Sequence, residues 1–516
     1  MSEREPSPDD RAGDFKAMHG YWSAVYAFLE GADAVKSGGQ AFLPKFPNES
    51  DADYKDRLDN GKFTAVLSDI VSDLAEKPFA KELGFASEVP AEIATLADDI
   101  DGMGNNFHVF GAHSFYWAVA NAVDFILVDK TPIKEGATIA DERAAGARPY
   151  WVRIPALSMK AAYTAMIDGR EQFVHVRFEE ASVERDGFAE TRKERIRVFN
   201  REQNADGSWA PATYELWEER KGADNKETWV LIEEPRPLGI PFIPLVPVVL
   251  GRRHGSTWRM VPPMRPIVHL QKKHYQGETN LEYAKNLTAA PMLTASGVVP
   301  PTKSIQKTID GQNITEYEPV PVPVGPKTVL YAPPDPNGGS PGNWSFIEIS
   351  ATSLKFLADE VERTEQQMRE LGRQPLKAQT GLTVISAARS GQKAASAAQA
   401  WAMLFKDAME LAWSYTVQWM GRSDNIEVSV YTDFGVGMES DKAPDFLLKL
   451  RETGDISREA IINEAKRRDF LSAEYDPDAD LELILAETLD VGAMDAMPPD
   501  PNQRNSADPA TLQPGQ

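Results

Sequence analysis

The stretch ATSLKFLADEVERTEQQMRELG, residues 351–372, decides how the rest of the chain is read. Leu354, Leu357, Val361, Thr364, Met368 and Leu371 recur at spacings of 3, 4, 3, 4 and 3, a heptad stripe suited to facing another helix. The stripe fits two arrangements. One is an amphipathic helix packed inside its own chain; the other is a subunit seam through Leu354, Leu357, Val361, Met368 and Leu371. The remaining faces carry Asp359, Glu360, Glu362, Glu365 and Glu370, either as a solvated face or as a functional acidic surface.

Before this helix, 11 of the 37 prolines fall between Pro291 and Pro341, which forbids helix and requires extended strands and loops. That excursion follows PIVHLQKKHYQGETNLEYAKNLTAA, residues 266–290, which reads as a helix over 266–289 with Pro at its first turn. On the other side, GRQPLKAQTG, residues 372–381, is a break of about ten residues, with Lys377 between two helices. Helix resumes from Val384 to Met420 with an inner stripe of Ala395, Ala398, Ala402, Phe405, Met409, Ala412 and Trp419. At 1.5 Å per residue it would run on the order of 55 Å.

Farther out, the period switches to two from Arg148. PYWVRIPA, QFVHVRFEEA, RIRVFN, TYELWEE and ETWVLIEE predict an antiparallel β domain of about 100 residues, with turns at RDG, ADGS and GADN. IPFIPLVPVVL, residues 240–250, is extended, since its prolines exclude both a helix and a central strand. The N-terminal third is helical. Ser50 caps a helix that runs through Tyr54, Leu58 and Val66 to Lys77, either whole or broken near Gly61. Further helices cover 91–100 and 106–129. Residues 1–13 read as a disordered lead. Near the C-terminus IEVSVYTDF is a strand, Gly454 and Ser457 separate two short helices, and the tail beyond 487 is disordered. The fold class is α+β.

Composition narrows the function. The chain has no cysteine, which removes disulfides, Cys-ligated metals and thiol nucleophiles. Its net charge is −23, and from Asp424 onward 21 acidic residues face 8 basic ones. Such a balance opposes adhesion to phosphate backbones. No window of 18 apolar residues occurs, so no membrane span is expected. VPVPVGPKT at 320–328 lacks the first glycine of a phosphate loop, and Gly435 and Gly437 lack the third glycine of a dinucleotide turn. The close histidine pairs, His108 with His113 and His269 with His274, are five apart where a helical metal pair needs four. No cofactor, metal or catalytic residue is expected.

The order of elements resembles the portal proteins of tailed bacteriophages, and FLPKFPNESDADYKDRL (42–58), RPYWVRIPA (148–156) and PIVHLQKKHYQGETNLEYAKNLTAAPMLTASG (266–297) resemble an uncharacterised portal-like branch of them. The resemblance implies a ring, normally of twelve subunits, around a DNA channel. It implies a wing over 14–262, helical to about 147 and antiparallel β over 148–250. Stem helices follow at 263–289 and 351–372 around a clip at 290–350, then a tunnel loop at 373–383, a long wing helix and strand at 384–440, and a crown at 441–487. Residues 488–516 are the acidic, proline-bearing tail.

By the same resemblance Gln374, Lys377, Gln379 and Thr380 touch the moving duplex, and the acidic stem face lets it slip unheld. The implied partners are further copies of the chain, double-stranded DNA without sequence reading, the terminase that hydrolyses ATP, a head–tail adaptor, and capsid and scaffold proteins. The place of action is the virion's portal vertex after assembly in the bacterial cytoplasm. Two other readings stand beside it, a carboxylate-dependent soluble hydrolase and a different ring-forming head–tail adaptor.

Overall fold

The computed structural model describes residues 6–47, 49–131, 144–221, 227–289, 292–298, 302–309, 312–320, 329–332, 343–347, 351–376, 396–432, 449, 451, 457–467, 471 and 475–483. The chain divides into two compact units, Met1–Val436 and Gly437–Gln516. Helix and strand are mixed, an α+β organisation. Among the described residues no helix is long and apolar enough to cross a membrane.

The first unit opens with α1 (Gly13–Glu30), α2 (Ala32–Ser37), α3 (Asp51–Asp59) and α4 (Val66–Glu76). The Ser50 side chain accepts from the Asp53 backbone N–H, the expected cap, and the pattern from Ser50 to Lys77 resolves into two helices broken at 60–65. Residues 6–12 are not the free lead that their polarity suggests. The Arg177 guanidinium donates to the Ser7, Pro8 and Asp10 carbonyls, Arg11 donates to the Leu157 and Met159 carbonyls, and the buried Lys160 ammonium pairs with Asp9 and Glu179. Two guanidiniums thus satisfy backbone carbonyls and an ammonium ties the Asp9 carboxylate down, holding the segment against the sheet.

A short strand β1 (Gly84–Phe85) and α5 (Ala91–Asp98) lead to α6 (Phe107–Asn121), capped by Asn106. The helix expected to reach residue 129 stops at Asn121. Ala122 takes a left-handed conformation (φ 75°), and Val123–Lys130 is a strand, β2, paired antiparallel with β3 (Pro149–Ile154). This is a correction with a clear cause. Ile126 and Val128 point into one core and Val123, Phe125 and Leu127 into another, so a strand buried on both faces reads as an unbroken apolar run.

Next come β4 (Met159–Ile167), β5 (Arg170–Glu179), the hairpin β6 (Ser182–Asp186) and β7 (Ala189–Lys193), then β8 (Arg195–Asn200), β9 (Thr213–Lys221) and β10 (Glu227–Pro237). The antiparallel β region is present, with strand order β10-β9-β8-β5-β4, but PYWVRI is not part of that sheet. It joins β2 and the proline-bearing β11 (Leu245–Val249) in a separate three-stranded sheet ordered β11-β2-β3, where β11 takes the edge that Pro247 requires.

The two-stranded hairpin β12 (Arg252–Arg253) and β13 (Met260–Val261) precedes α7 (Arg265–Ala289). The excursion is extended as expected. It comprises β14 (Met292–Ser296), β15 (Thr302–Ile309), β16 (Gln312–Pro319), β17 (Val329–Ala332) and β18 (Asn343–Ile347), with a mixed sheet β17-β14-β18 and a hairpin β15-β16. The chain returns in α8 (Ala351–Arg373), a 3-10 turn (Gln374–Leu376) and α9 (Ala397–Trp419).

The third helix was expected from Val384 but begins at Ala397. Ser396 and Gln399 form a reciprocal capping box there, giving 23 residues, or about 35 Å. Residues 384–395 lie outside the described residues. Of the expected stripe Ala398, Ala402, Phe405, Met409 and Ala412 are buried, Trp419 is partly buried and Ala395 lies outside the described residues; Trp413 packs with Phe107, Trp151 and Phe85 in tilted and edge-on contacts of 5.2–5.5 Å. The Trp151 indole donates to Thr416 Oγ1 at 2.7 Å, and Trp419 donates to the Val128 carbonyl at 2.8 Å, fixing α9 to the three-stranded sheet. From IEVSVYTDF, among the described residues, Val428–Ser429 forms a strand (β19) paired with β1. In the second unit α10 (Arg458–Arg467) is capped by Ser457 as expected, and residues 477–483 are helical. Gly454 and the tail beyond 487 lie outside the described residues.

Candidate functional site

Helices α7 and α8 pack antiparallel. A Cβ added at Gly277 would stand 3.1 Å from Val361 Cγ2, so the missing side chain lets the two backbones approach. One face of α7 carries a buried polar row, Gln271, His274, Glu278 and Thr279. It completes the hydrogen bonding of the segment between α3 and α4. Gln271 accepts from the Leu67 N–H at 2.8 Å and donates to the Thr64 carbonyl at 2.9 Å. Glu278 accepts from the Thr64 N–H at 2.9 Å and pairs with Lys62 at 3.0 Å. His274 lies 3.5 Å from Glu278, and burial lowers its pKa against that carboxylate's opposing pull.

The α8 stripe faces this pair and α4. Met368 is fully buried in the chain's own main core, Thr364 is 3% exposed, Val361 meets Gly277, and Leu371 packs on the same core. Leu354 and Leu357 are half-buried. Of the two arrangements, the intramolecular one is realised for Val361, Met368 and Leu371. Met368 has no exposed surface left to offer a seam, while Val361 and Leu371 are half-buried.

The acidic residues of α8 divide into two sets. Glu360 pairs with Lys273 at 3.0 Å and with Arg363 at 2.5 Å, and Glu365 with Arg369 at 2.8 Å, so these two are neutralised; Lys273 beside Glu360 holds its carboxyl below the ordinary range. Asp359, Glu362 and Glu370 are exposed and form no ion pair among the described residues; Glu362 accepts only from Gln366, at 3.2 Å. The outward acidic face is thus three carboxylates deep, not five. Of the loop residues, Gln374 is exposed on the 3-10 turn, while Lys377, Gln379 and Thr380 lie outside the described residues.

Gln374 lines a cleft of about 330 Å³ where the first turns of α7 meet the end of α8 and the start of α9. Leu250, Met264, Ile267, Leu371 and Trp401 form its apolar wall, and Arg252 lies on its rim. Gly251 makes this corner possible. Its backbone N–H donates to the Ala122 carbonyl at 2.8 Å, and a Cβ there would sit 2.6 Å from Ala122 Cβ, too close to be tolerated. Sequence reading missed this cleft. Its signal was present in Pro235–Gly277, 43 residues with no acid and seven Lys or Arg, in a chain where 78 of 516 residues are acidic. Among the described residues no group of three or more His, Asp or Glu is placed to hold a metal ion.

No curated protein matches this chain. Residues 263–420 match the model of a family described as a domain of unknown function (DUF4055), found in phage proteins, and the span runs from the start of α7 through the excursion, α8 and the cleft to the end of α9.

Proposed function

We propose that the chain is a structural portal, or head–tail connector, protein. Copies form a ring at one capsid vertex, through which double-stranded DNA is packaged and ejected without being gripped, and the ring serves as a platform for terminase and head–tail adaptor. The observation that carries this reading is a single module: two antiparallel helices bracketing a β excursion, the second ending in a 3-10 turn, and a third helix beyond, over the span that matches a phage-protein family. The three unpaired carboxylates on the outward face of α8 suit a wall that phosphate slides past, because screened repulsion reads no sequence. Catalysis of packaging then belongs to a separate motor protein.

A ring closes by heterologous contacts related by rotation. Native mass measurement of the purified full chain tests it, with about 680 kDa expected for twelve copies of 57.0 kDa. A monomer or dimer under all salt conditions, with no ring in electron-microscope class averages, would refute it.

A further inference from the structure

The cleft between α7, α8 and α9 carries a basic rim. In the β12–β13 ladder Arg252 stands opposite Val261 and Arg253 opposite Met260, and the His254 N–H bonds to the Arg259 carbonyl at 3.0 Å. Side chains alternate along a strand, so the hairpin has two faces. Arg253 turns inward: it pairs with Glu171 at 2.7 Å and lies 4.4 Å over the ring of the buried Trp258, beside the buried Met260. The opposite face carries Arg252, His254, Arg259 and Val261, all exposed. Arg265 stands between Met264 and Pro266, both of which line the cleft, and is exposed as well.

Arg252, Arg259 and Arg265 have no carboxylate partner among the described residues. The two acids that touch the hairpin are already engaged, Glu171 by Arg253 and Asp14 by the Trp258 N–H. Three unpaired guanidiniums therefore stand on the exposed face of this hairpin and at the adjoining start of α7, Arg252 at the edge of the apolar cleft itself, in a chain of net charge −23.

We propose that this corner is a docking site for an acidic polypeptide segment of a partner protein, with one apolar anchor side chain seated in the cleft and its carboxylates on Arg252, Arg259 and Arg265. Guanidinium forks match carboxylates in bidentate geometry. A nucleic-acid backbone offers the same charge but nothing to fill a wall of Leu250, Met264, Ile267 and Trp401. Against a net-negative chain the apolar burial tips the choice towards peptide. The site does not depend on ring formation, because every residue in it belongs to one chain.

The test uses the full chain in whatever assembly it forms. The probe is a fluorescein-labelled dodecapeptide of Glu and Asp carrying two leucines four positions apart, titrated by anisotropy at low and moderate salt. Saturable binding is expected, weakened about tenfold or more by Arg252→Gln/Arg259→Gln/Arg265→Gln and by replacing the probe's leucines with alanine. Val261→Glu, which adds a negative charge to the rim, should weaken it likewise. Arg252→Lys/Arg259→Lys/Arg265→Lys should retain most of the binding, and Arg185→Gln, on the remote β6–β7 hairpin, all of it.

Should the glutamine variant fail to fold by circular dichroism, the lysine and Val261→Glu variants carry the comparison. The proposal falls if the wild-type chain binds no probe, if the probe binds equally without its leucines, or if none of the rim changes alters binding. It also falls if a 20-base-pair duplex displaces the probe and binds through the same arginines, which would assign the rim to nucleic acid.

Discussion

Asp124 lies on β2 with its carboxylate fully buried and without a hydrogen-bond partner, its nearest cation being Arg153 at 3.6 Å. Burial pushes its pKa up to about 7, against the opposing pull of Arg153. An unfolded Asp titrates near pH 3.9, so between about pH 4 and pH 7 the native chain holds a proton that the unfolded chain has released. This group's contribution therefore falls as pH rises through that window and is flat above it. Asp124→Asn should be increasingly more stable than wild type from pH 4 to pH 7, by on the order of 2–4 kcal/mol at the top, and the gap should then stay constant. Chemical denaturation of both proteins across pH 4–8 checks this; a gap that does not change with pH would refute it. Nothing in the sequence singled out Asp124, because its partner is 29 residues away and only the β2–β3 pairing brings them together. Ser50 was legible for the opposite reason, since a cap and its N–H lie three residues apart.

At the scale of elements, period and punctuation carried as far as local physics reaches. The helices at 266–289 and 351–372 were legible to within a residue, because a heptad stripe and an initial Pro act within one segment. The strand at 123–130 was not, since its two-sided burial depends on two separate cores. The start of α9 was legible in principle, because Ser396 and Gln399 carry the S-x-x-Q pattern of a capping box, but the alanine run before it continued the helical period. Whether the α8 stripe served the chain or a seam could not be read from spacing. In the folded chain Met368 has no exposed surface, so Met368→Asp places a charge inside the monomer's core and should cost more than about 4 kcal/mol. Circular dichroism melts at concentrations where the chain is dissociated would show a large drop in Tm. A stripe serving only a seam predicts unchanged helicity and loss of assembly alone. The exposed Lys273–Glu360 ion pair of α7 with α8 contributes little beside this packing.

For the whole molecule the decisive quantity is where charge is left unpaired. The chain carries −23, yet Glu360 and Glu365 are neutralised by Lys273, Arg363 and Arg369, leaving Asp359, Glu362 and Glu370 to set the potential of the outward face of α8. Net charge was legible from composition. Its distribution was only partly so: the Arg363–Glu360 and Arg369–Glu365 pairs lie one helical turn apart in sequence, whereas the Lys273–Glu360 pair depends on α7 lying against α8. If the proposed ring passes DNA by repulsion, reversing this small set should convert passage into retention. Glu362→Lys with Glu370→Lys replaces two exposed carboxylates by ammoniums, a change of four charges per copy, and as exposed substitutions they should alter stability by no more than about 0.5 kcal/mol each. The variant is expected to keep the native mass of the wild-type assembly and to bind a linear duplex at physiological salt, where wild type does not. That binding should fade as salt rises, since it rests on counterion release. Electrophoretic mobility shift over a salt series reads this directly. An assembly of unchanged mass that ignores DNA after the reversal would place the outward face of α8 away from the DNA path, and the conduit wall would then have to be sought on another surface.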